Sequence, residues 1–157
     1  LGVSICIMSA SIPTCMLNKI KEELSINTVI NADKEDYLMR HHINYIDDII
    51  DSHLDSIENN LNNNKQVLIC VNNVEYSQEI YKHFKNIYPN KNIKLIHSRF
   101  NARDRTEHEK DLKNCDLLIG TQAIEVSLDI DYDILYTELA PLDSLLQRFG
   151  RVNRKGI

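Results

Sequence analysis

The sequence predicts an α/β fold with a mainly parallel sheet covered by helices on both faces. Two observations predict it. Short continuous apolar runs such as Val67–Val71 lack the alternation of a half-exposed strand, which marks strands buried on both faces of a parallel sheet. Between such runs lie stretches with apolar residues every three or four positions, the spacing of amphipathic helices. In folds of this kind the functional loops follow the C-terminal ends of the strands.

The elements follow in order. Val3–Met8 is a short apolar run and predicts a buried strand, closed by Ser9–Pro13. Cys15–Leu24 predicts a helix, with Met16, Leu17, Ile20 and Leu24 at helical spacing. Thr28–Ile30 suits a short strand, and Tyr37–Tyr45 an extended segment. Ile46, Ile50, Leu54, Ile57 and Leu61 mark an amphipathic helix over 46–61, with Asp47, Asp48, Asp51, Asp55 and Glu58 largely on its other face. After the Val67–Val71 strand, Asn72 or Asn73 can cap a helix whose stripe is Val74, Ser77, Tyr81, Phe84 and Tyr88. Ile93–His97 is a strand, Arg103–Lys113 a helix, and Leu117–Gly120 a strand ending at a Gly-Thr loop. Ile134–Thr137 is the last strand. Pro141 stands where a first helical turn would begin, ahead of Leu142–Phe149.

The 157 residues suit one domain and a real core. The chain starts at Leu1 and ends just after a basic run, so both ends are expected to be cuts through a longer polypeptide. No apolar run is long enough to span a bilayer. The opening apolar stretch lacks the positive start of a signal peptide. Cys6, Cys15, Cys70 and Cys115 form no CxxC pair. They argue against a disulfide framework or zinc site and fit a reducing cytoplasm. The net charge of −5 argues against a generic nucleic-acid coat protein, yet it hides a local basic stretch of Arg148, Arg151, Arg154 and Lys155.

Four strings could carry chemistry. In QRFGRVNR (147–154) arginines recur every three residues, which on a helix lines one slowly drifting side with guanidinium groups able to grip several phosphate oxygens. Gly150 between them would allow close approach of another backbone. The plain alternative is a solvated basic helix end. In IGTQAIEVSLDIDYD (119–133) a strand runs into Gly120-Thr121, where backbone amides and a hydroxyl can hold phosphate. Asp129, Asp131 and Asp133 lack the glycine and glutamate of a calcium loop, so the alternative is a loop capped by aspartates. IHSRF (96–100) offers His97, Ser98 and Arg99 as phosphate donors, with capping or packing as its plain reading. MSASIP (8–13) alone is a small-residue turn. No HExxH or helically spaced histidine pair points to a metal, and His41-His42 is weak.

Together these strings resemble the ordered motif set of superfamily 2 helicases. MSASIP resembles the motif that ends the first motor lobe. VLICVNN (67–73), IHSRF, GTQAIEVSLDID and QRFGRVNR resemble second-lobe motifs in the right order, while 14–66 matches only in architecture. HSRF followed by Asp104-Arg105, together with APxDxLxQRxGRxxR, is most similar to the CRISPR-associated helicase–nuclease of type I systems. Gln147, Ser127 and Ser11 depart from the DEAD-box pattern.

The resemblance implies a RecA-like three-layer sandwich, the second motor lobe of a helicase. Residues 1–13 would end the first lobe, 14–45 connect the lobes, and 46–157 form the second. Arg151 and Arg154 would reach the ATP γ-phosphate as arginine fingers. Gln147, Arg148 and Asp129 would also serve the nucleotide. His97, Ser98, Arg99, Thr121 and Gln122 would hold the backbone of single-stranded DNA, and Ser9, Ala10 and Ser11 would couple nucleotide state to lobe closure. ATP and Mg2+ would be held mainly by a first lobe outside this sequence, which has neither a GxxxxGK[ST] loop nor a magnesium box. Alone, the fragment should be inactive. Expected partners are that first lobe, a nuclease domain and an RNA-guided surveillance complex, with no membrane. Two alternatives stay open: a lobe of an RNA helicase, and a non-catalytic nucleic-acid-binding scaffold.

Overall fold

The computed structural model describes residues 5–9, 12–26, 28–30, 41–98, 112–126, 128–154 and 156. The chain forms two compact units, Leu1–Leu38 and Met39–Ile157.

In the first unit, helix α1 (Thr14–Leu24) stops where Ser25 turns left-handed at φ 51° and the Ile26 N–H returns to Lys21 O. Residues 5–8 and 28–30 are irregular and exposed, so the strands expected there are not formed. A strand holds only when a neighbour takes its N–H and C=O groups. The described sheet offers neither run a partner. The Ser9–Ser11 turn falls mostly outside the described residues: Ser9 is exposed, whereas Ala10 and Ser11 are not described.

The second unit carries strands β1 (Val67–Cys70), β2 (Ile93–Ile96), β3 (Leu117–Gly120) and β4 (Ile134–Thr137) in the order β2-β3-β1-β4. All pairs are parallel. Within β1 the side chains alternate between two cores. Val67, Ile69 and Val71 join one core, with Ile57 and Leu61 of α2 (Leu54–Asn62) and Ile80 and Phe84 of α3 (Val74–Ile87). Leu68 and Cys70 join the other, with Leu112, Ile124, Leu128, Tyr132 and Val152. This is the RecA-like α/β architecture expected.

Asn73 caps α3, its side-chain oxygen accepting the Tyr76 N–H at 3.0 Å. The buried stripe of α3 is Ser77, Ile80 and Phe84, so Ile80 belongs to it while Val74, Tyr81 and Tyr88 flank it. The helix expected over 46–61 begins later, with a 3-10 turn at Ile50–His53 that leads into α2. Asp48 explains the delay. Its Oδ1 accepts the Ile49 N–H at 2.7 Å and the Ser52 hydroxyl at 2.9 Å, a local arrangement that competes with helix. The Arg103–Lys113 helix lies mostly outside the described residues; Leu112–Asn114 form a 3-10 turn.

Residues 41–45, expected in an interlobe connection, fall within the second unit. His41 Nε2 donates to Val152 O at 2.8 Å, and its ring lies 6.1 Å from that of Phe149.

Candidate functional site

The sheet register aligns the strand ends: Cys70 pairs with Gly120 and Thr137, and Ile96 with Gly120. The loops after all four strands therefore share one edge of the sheet, the edge where parallel α/β folds bind ligands. Gly120 sets the closeness of that edge. A Cβ there would lie 2.6 Å from both Ile96 O and Ile124 Cδ1.

Helix α4 (Leu142–Phe149), with Pro141 as its N-cap, carries Gln147 and Arg148 and stops at Gly150. Arg151 and Arg154 lie beyond it, so the three arginines do not share one helical side. Asn153 takes a left-handed φ of 45°, which Asn tolerates. The turn brings the Arg154 N–H to Asp131 Oδ1 at 2.9 Å. Gly150 has φ −64°, and a Cβ there would meet only Gln147 O and Leu146 O at 3.4 Å. Among the described residues no other backbone approaches it, contrary to expectation.

Arg148, expected to face the nucleotide, is fully buried. Its Nε donates to Glu125 Oε1 at 2.9 Å, one terminal nitrogen to Thr137 Oγ1 at 2.8 Å and Glu138 O at 3.1 Å, and the other to Asn72 Oδ1 at 3.0 Å. All three nitrogens have protein acceptors, so the side chain braces the ends of β1 and β4 and the loop after β3. A buried guanidinium is stable only with such a full set of partners.

Arg151 is half-buried. Its two terminal nitrogens donate to Leu128 O and, at 2.7 Å, to Glu125 O, while its buried Nε has no hydrogen-bond partner among the described residues. Burial, and then the neighbouring Arg154 charge, lower its pKa from the ordinary value, and Asp129 opposes this. Arg154 is more open, with 44% of its side chain exposed, and pairs with Asp129 Oδ1 at 2.9 Å. Asp129 bridges Arg154 and Lys113. Hydrogen bonding to Lys113 foremost holds its carboxyl below the usual value. Asp131 and Asp133 act as caps, the latter accepting the Gln66 N–H at 2.8 Å.

Of the residues expected on nucleic acid, Ser98 and Gln122 are exposed, and Arg99 is not described. His97 is buried, with Gln78 Nε2 3.3 Å from its Nε2. Thr121 is also buried, because its backbone stays tied to the sheet: its N–H donates to Ile96 O at 3.2 Å and its carbonyl accepts from Ile124 N at 3.0 Å. Its hydroxyl has no hydrogen-bond partner among the described residues. Among the described residues, no group of three or more His, Cys, Asp or Glu could hold a metal ion, and no helix is long and apolar enough to cross a membrane.

Sequence reasoning gave no role to Glu125, Thr137 or Glu138, and offered Asn72 only as a helix cap. The available signal was Glu125 itself, a lone acid among Ala123, Ile124 and Val126, a setting that calls for a cationic partner.

A parallel α/β lobe that carries the second-lobe strings at and beyond the C-terminal ends of its strands is a helicase motor lobe of the RecA-like class. Solved structures agree. Cas3 of T. fusca with ADP superposes with a TM-score of 0.61 at 27% identity, over 67% of this chain and 14% of that one. A chain of a CRISPR RNA-guided surveillance complex, pre-nicking, gives 0.54 at 30% identity, over 68% and 14%. Among curated relatives, the CRISPR-associated nuclease/helicase Cas3 of Streptococcus thermophilus is 41% identical over 113 residues, which are 66% of this chain and 12% of the relative. The endonuclease/helicase Cas3 of Escherichia coli K12 is 37% identical over 100 residues, 57% and 11% respectively. The family model of the C-terminal part of the CRISPR-associated nuclease/helicase Cas3 matches residues 63–157, and the chain belongs to that family. It spans only about an eighth of the length of such relatives.

Proposed function

We propose that this lobe completes the ATP site of a DNA-translocating motor in type I CRISPR defence. Its Arg151 and Arg154 serve a triphosphate whose phosphate loop and Mg2+ are held by a first RecA-like lobe. The observation that carries this reading is the pairing of those two arginines beside the C-terminal edge of the sheet. The Arg154 charge raises the cost of charging Arg151, and an anion beside them would offset that cost. The orphaned Arg151 Nε and the half-exposed Arg154 fit a polyanion. Solved T. fusca Cas3 with ADP, ATP and AMPPNP adds support from relatives.

In this reading bound ATP supplies the phosphoryl group that is transferred to water. Arg151 and Arg154 place positive charge where negative charge spreads over that group. Gln147, exposed on α4, lies near enough in sequence to serve the same cleft. Asp129 orients Arg154 through their ion pair. Arg148 holds the framework instead of touching nucleotide. Ser98, Arg99 and Gln122 hold single-stranded DNA backbone in a sequence-independent way, with His97 and Thr121 shaping the loops beneath them. Ser9–Ser11 would relay nucleotide state to lobe closure. A nuclease domain and a surveillance complex complete the assembly, as the relatives' names suggest.

The test is ATP hydrolysis by the full-length polypeptide, with and without single-stranded DNA or RNA, beside Arg151→Ala and Arg154→Ala. DNA-stimulated turnover lost by about a thousandfold in either variant is the expected result. Stimulation by RNA alone would move the lobe to an RNA motor. No hydrolysis by the folded parent with any nucleic acid would leave a binding scaffold.

A further inference from the structure

We propose that Glu125 is a positioning residue that couples the DNA-facing loop after β3 to the arginines of the ATP cleft; this rests on the motor reading above. The geometry is specific. Glu125 touches both arginine positions through different atoms. Its carboxylate accepts Arg148 Nε at 2.9 Å, and its carbonyl accepts an Arg151 terminal nitrogen at 2.7 Å. Leu128 O, three residues on, holds the other terminal nitrogen of Arg151. The segment that begins at the Thr121–Gln122 turn is thus the seat of Arg151.

The carboxylate fixes that seat. Glu125 is a single residue beyond the 3-10 turn Gln122–Ile124, and its N–H returns to Gln122 O at 3.0 Å. A shift of Gln122 on engaging a phosphate backbone therefore moves Glu125. The Arg148 pair restrains the Glu125 side chain, because Arg148 is itself pinned by Thr137, Glu138 and Asn72 at the ends of β4 and β1. Its side chain is 0% exposed and that of Glu125 13% exposed, so little solvent screens the pair. With its carboxylate held by Arg148 and its carbonyl holding Arg151, Glu125 links the position of the loop to that of the Arg151 guanidinium. A misplacement of about 1 Å at a group serving the reaction can cost on the order of a hundredfold in rate.

The experiment compares Glu125→Gln and Glu125→Ala in the full-length polypeptide. It measures ATP turnover at saturating ATP with and without single-stranded DNA, KM for ATP, DNA affinity and the melting temperature. Gln keeps an acceptor for Arg148 and loses the charge; Ala loses both. For Ala, the proposal expects DNA-stimulated kcat to fall by about tenfold or more while KM and DNA affinity change by less than about threefold, with Gln recovering much of the loss. If Ala fails to fold, the same split in Gln, at a smaller size, carries the test. A lowered melting temperature with unchanged kcat per folded molecule would make Glu125 purely structural and overturn the proposal. A wild-type chain that DNA does not stimulate would overturn the motor reading itself, a result distinct from either variant's.

Discussion

Arg148 and Glu125 meet 23 residues apart in sequence, Nε to Oε1 at 2.9 Å, with both side chains withdrawn from solvent. Removing one member of a buried pair strands the other charge, which costs about 3–5 kcal/mol. Arg148→Ala should therefore lower unfolding free energy by about that amount in a urea titration. Arg154→Ala, which removes an exposed pair with Asp129, should leave the midpoint close to that of the parent. Equal losses from the two substitutions would refute the assignment of Arg148 as the buried brace and Arg154 as the exposed cation.

The two glycines of the site should respond oppositely to one added methyl. At Gly120 the Cβ would lie 2.6 Å from Ile96 O, a backbone atom that the β2–β3 pairing holds in place. Gly120→Ala should cost about 1–3 kcal/mol as an overpacked site. At Gly150 the nearest atoms lie 3.4 Å away and φ is −64°, a value every residue adopts. Gly150→Ala should be neutral, or stabilising by up to about 1 kcal/mol. Thermal melting of the two variants side by side checks both, and a destabilised Gly150→Ala would contradict the geometry.

The strands of the second unit were legible because each is a short apolar run bounded by polar residues. Leu117–Gly120 and Ile134–Thr137 fall where the pattern puts them. Residues 5–8 read the same way but form no strand, and pairing is a tertiary fact that no local pattern encodes. The start of α2 was misplaced because Asp48 spends its carboxylate on Ile49 and Ser52. Periodicity counts apolar residues and does not register that competition. At the site, three-residue spacing suggested one arginine face. The helix ends at Phe149, before the spacing can act, so burial and not spacing sorts the arginines. Arg148 could not be told from Arg151 without knowing that Glu125, Thr137 and Asn72 converge on it.

The thiols should divide into two classes. Burial pushes Cys70 up to about 12 and Cys115 up to about 11, whereas Cys6 and Cys15 are exposed. The thiolate is the reactive form, so Cys70 and Cys115 should resist an aromatic disulfide reagent at pH 8 while the exposed pair reacts. Denaturant should release the protected pair. Rapid modification of Cys70 in the folded chain, located by peptide mass mapping, would show that the β1 end opens to solvent.

Asp129 offers a pH test of the contacts around Arg154. Hydrogen bonding and charge from Lys113 come first, and the contribution of Arg154 second, in holding its carboxyl below 3.8. A depressed acid favours the fold while ionised. Its contribution is present above the unfolded value of 3.8 and fades as pH falls through the lower folded value. Because the carboxylate is exposed, salt should weaken the effect. A carboxyl-carbon NMR titration should place the Asp129 midpoint below 3.8 at low ionic strength. Lys113→Ala should raise that midpoint more than Arg154→Ala does, since Lys113 supplies the larger share. The reverse order would mean that Arg154 is the tighter partner. Arg154 would then be held to Asp129 more firmly than its proposed role toward ATP allows.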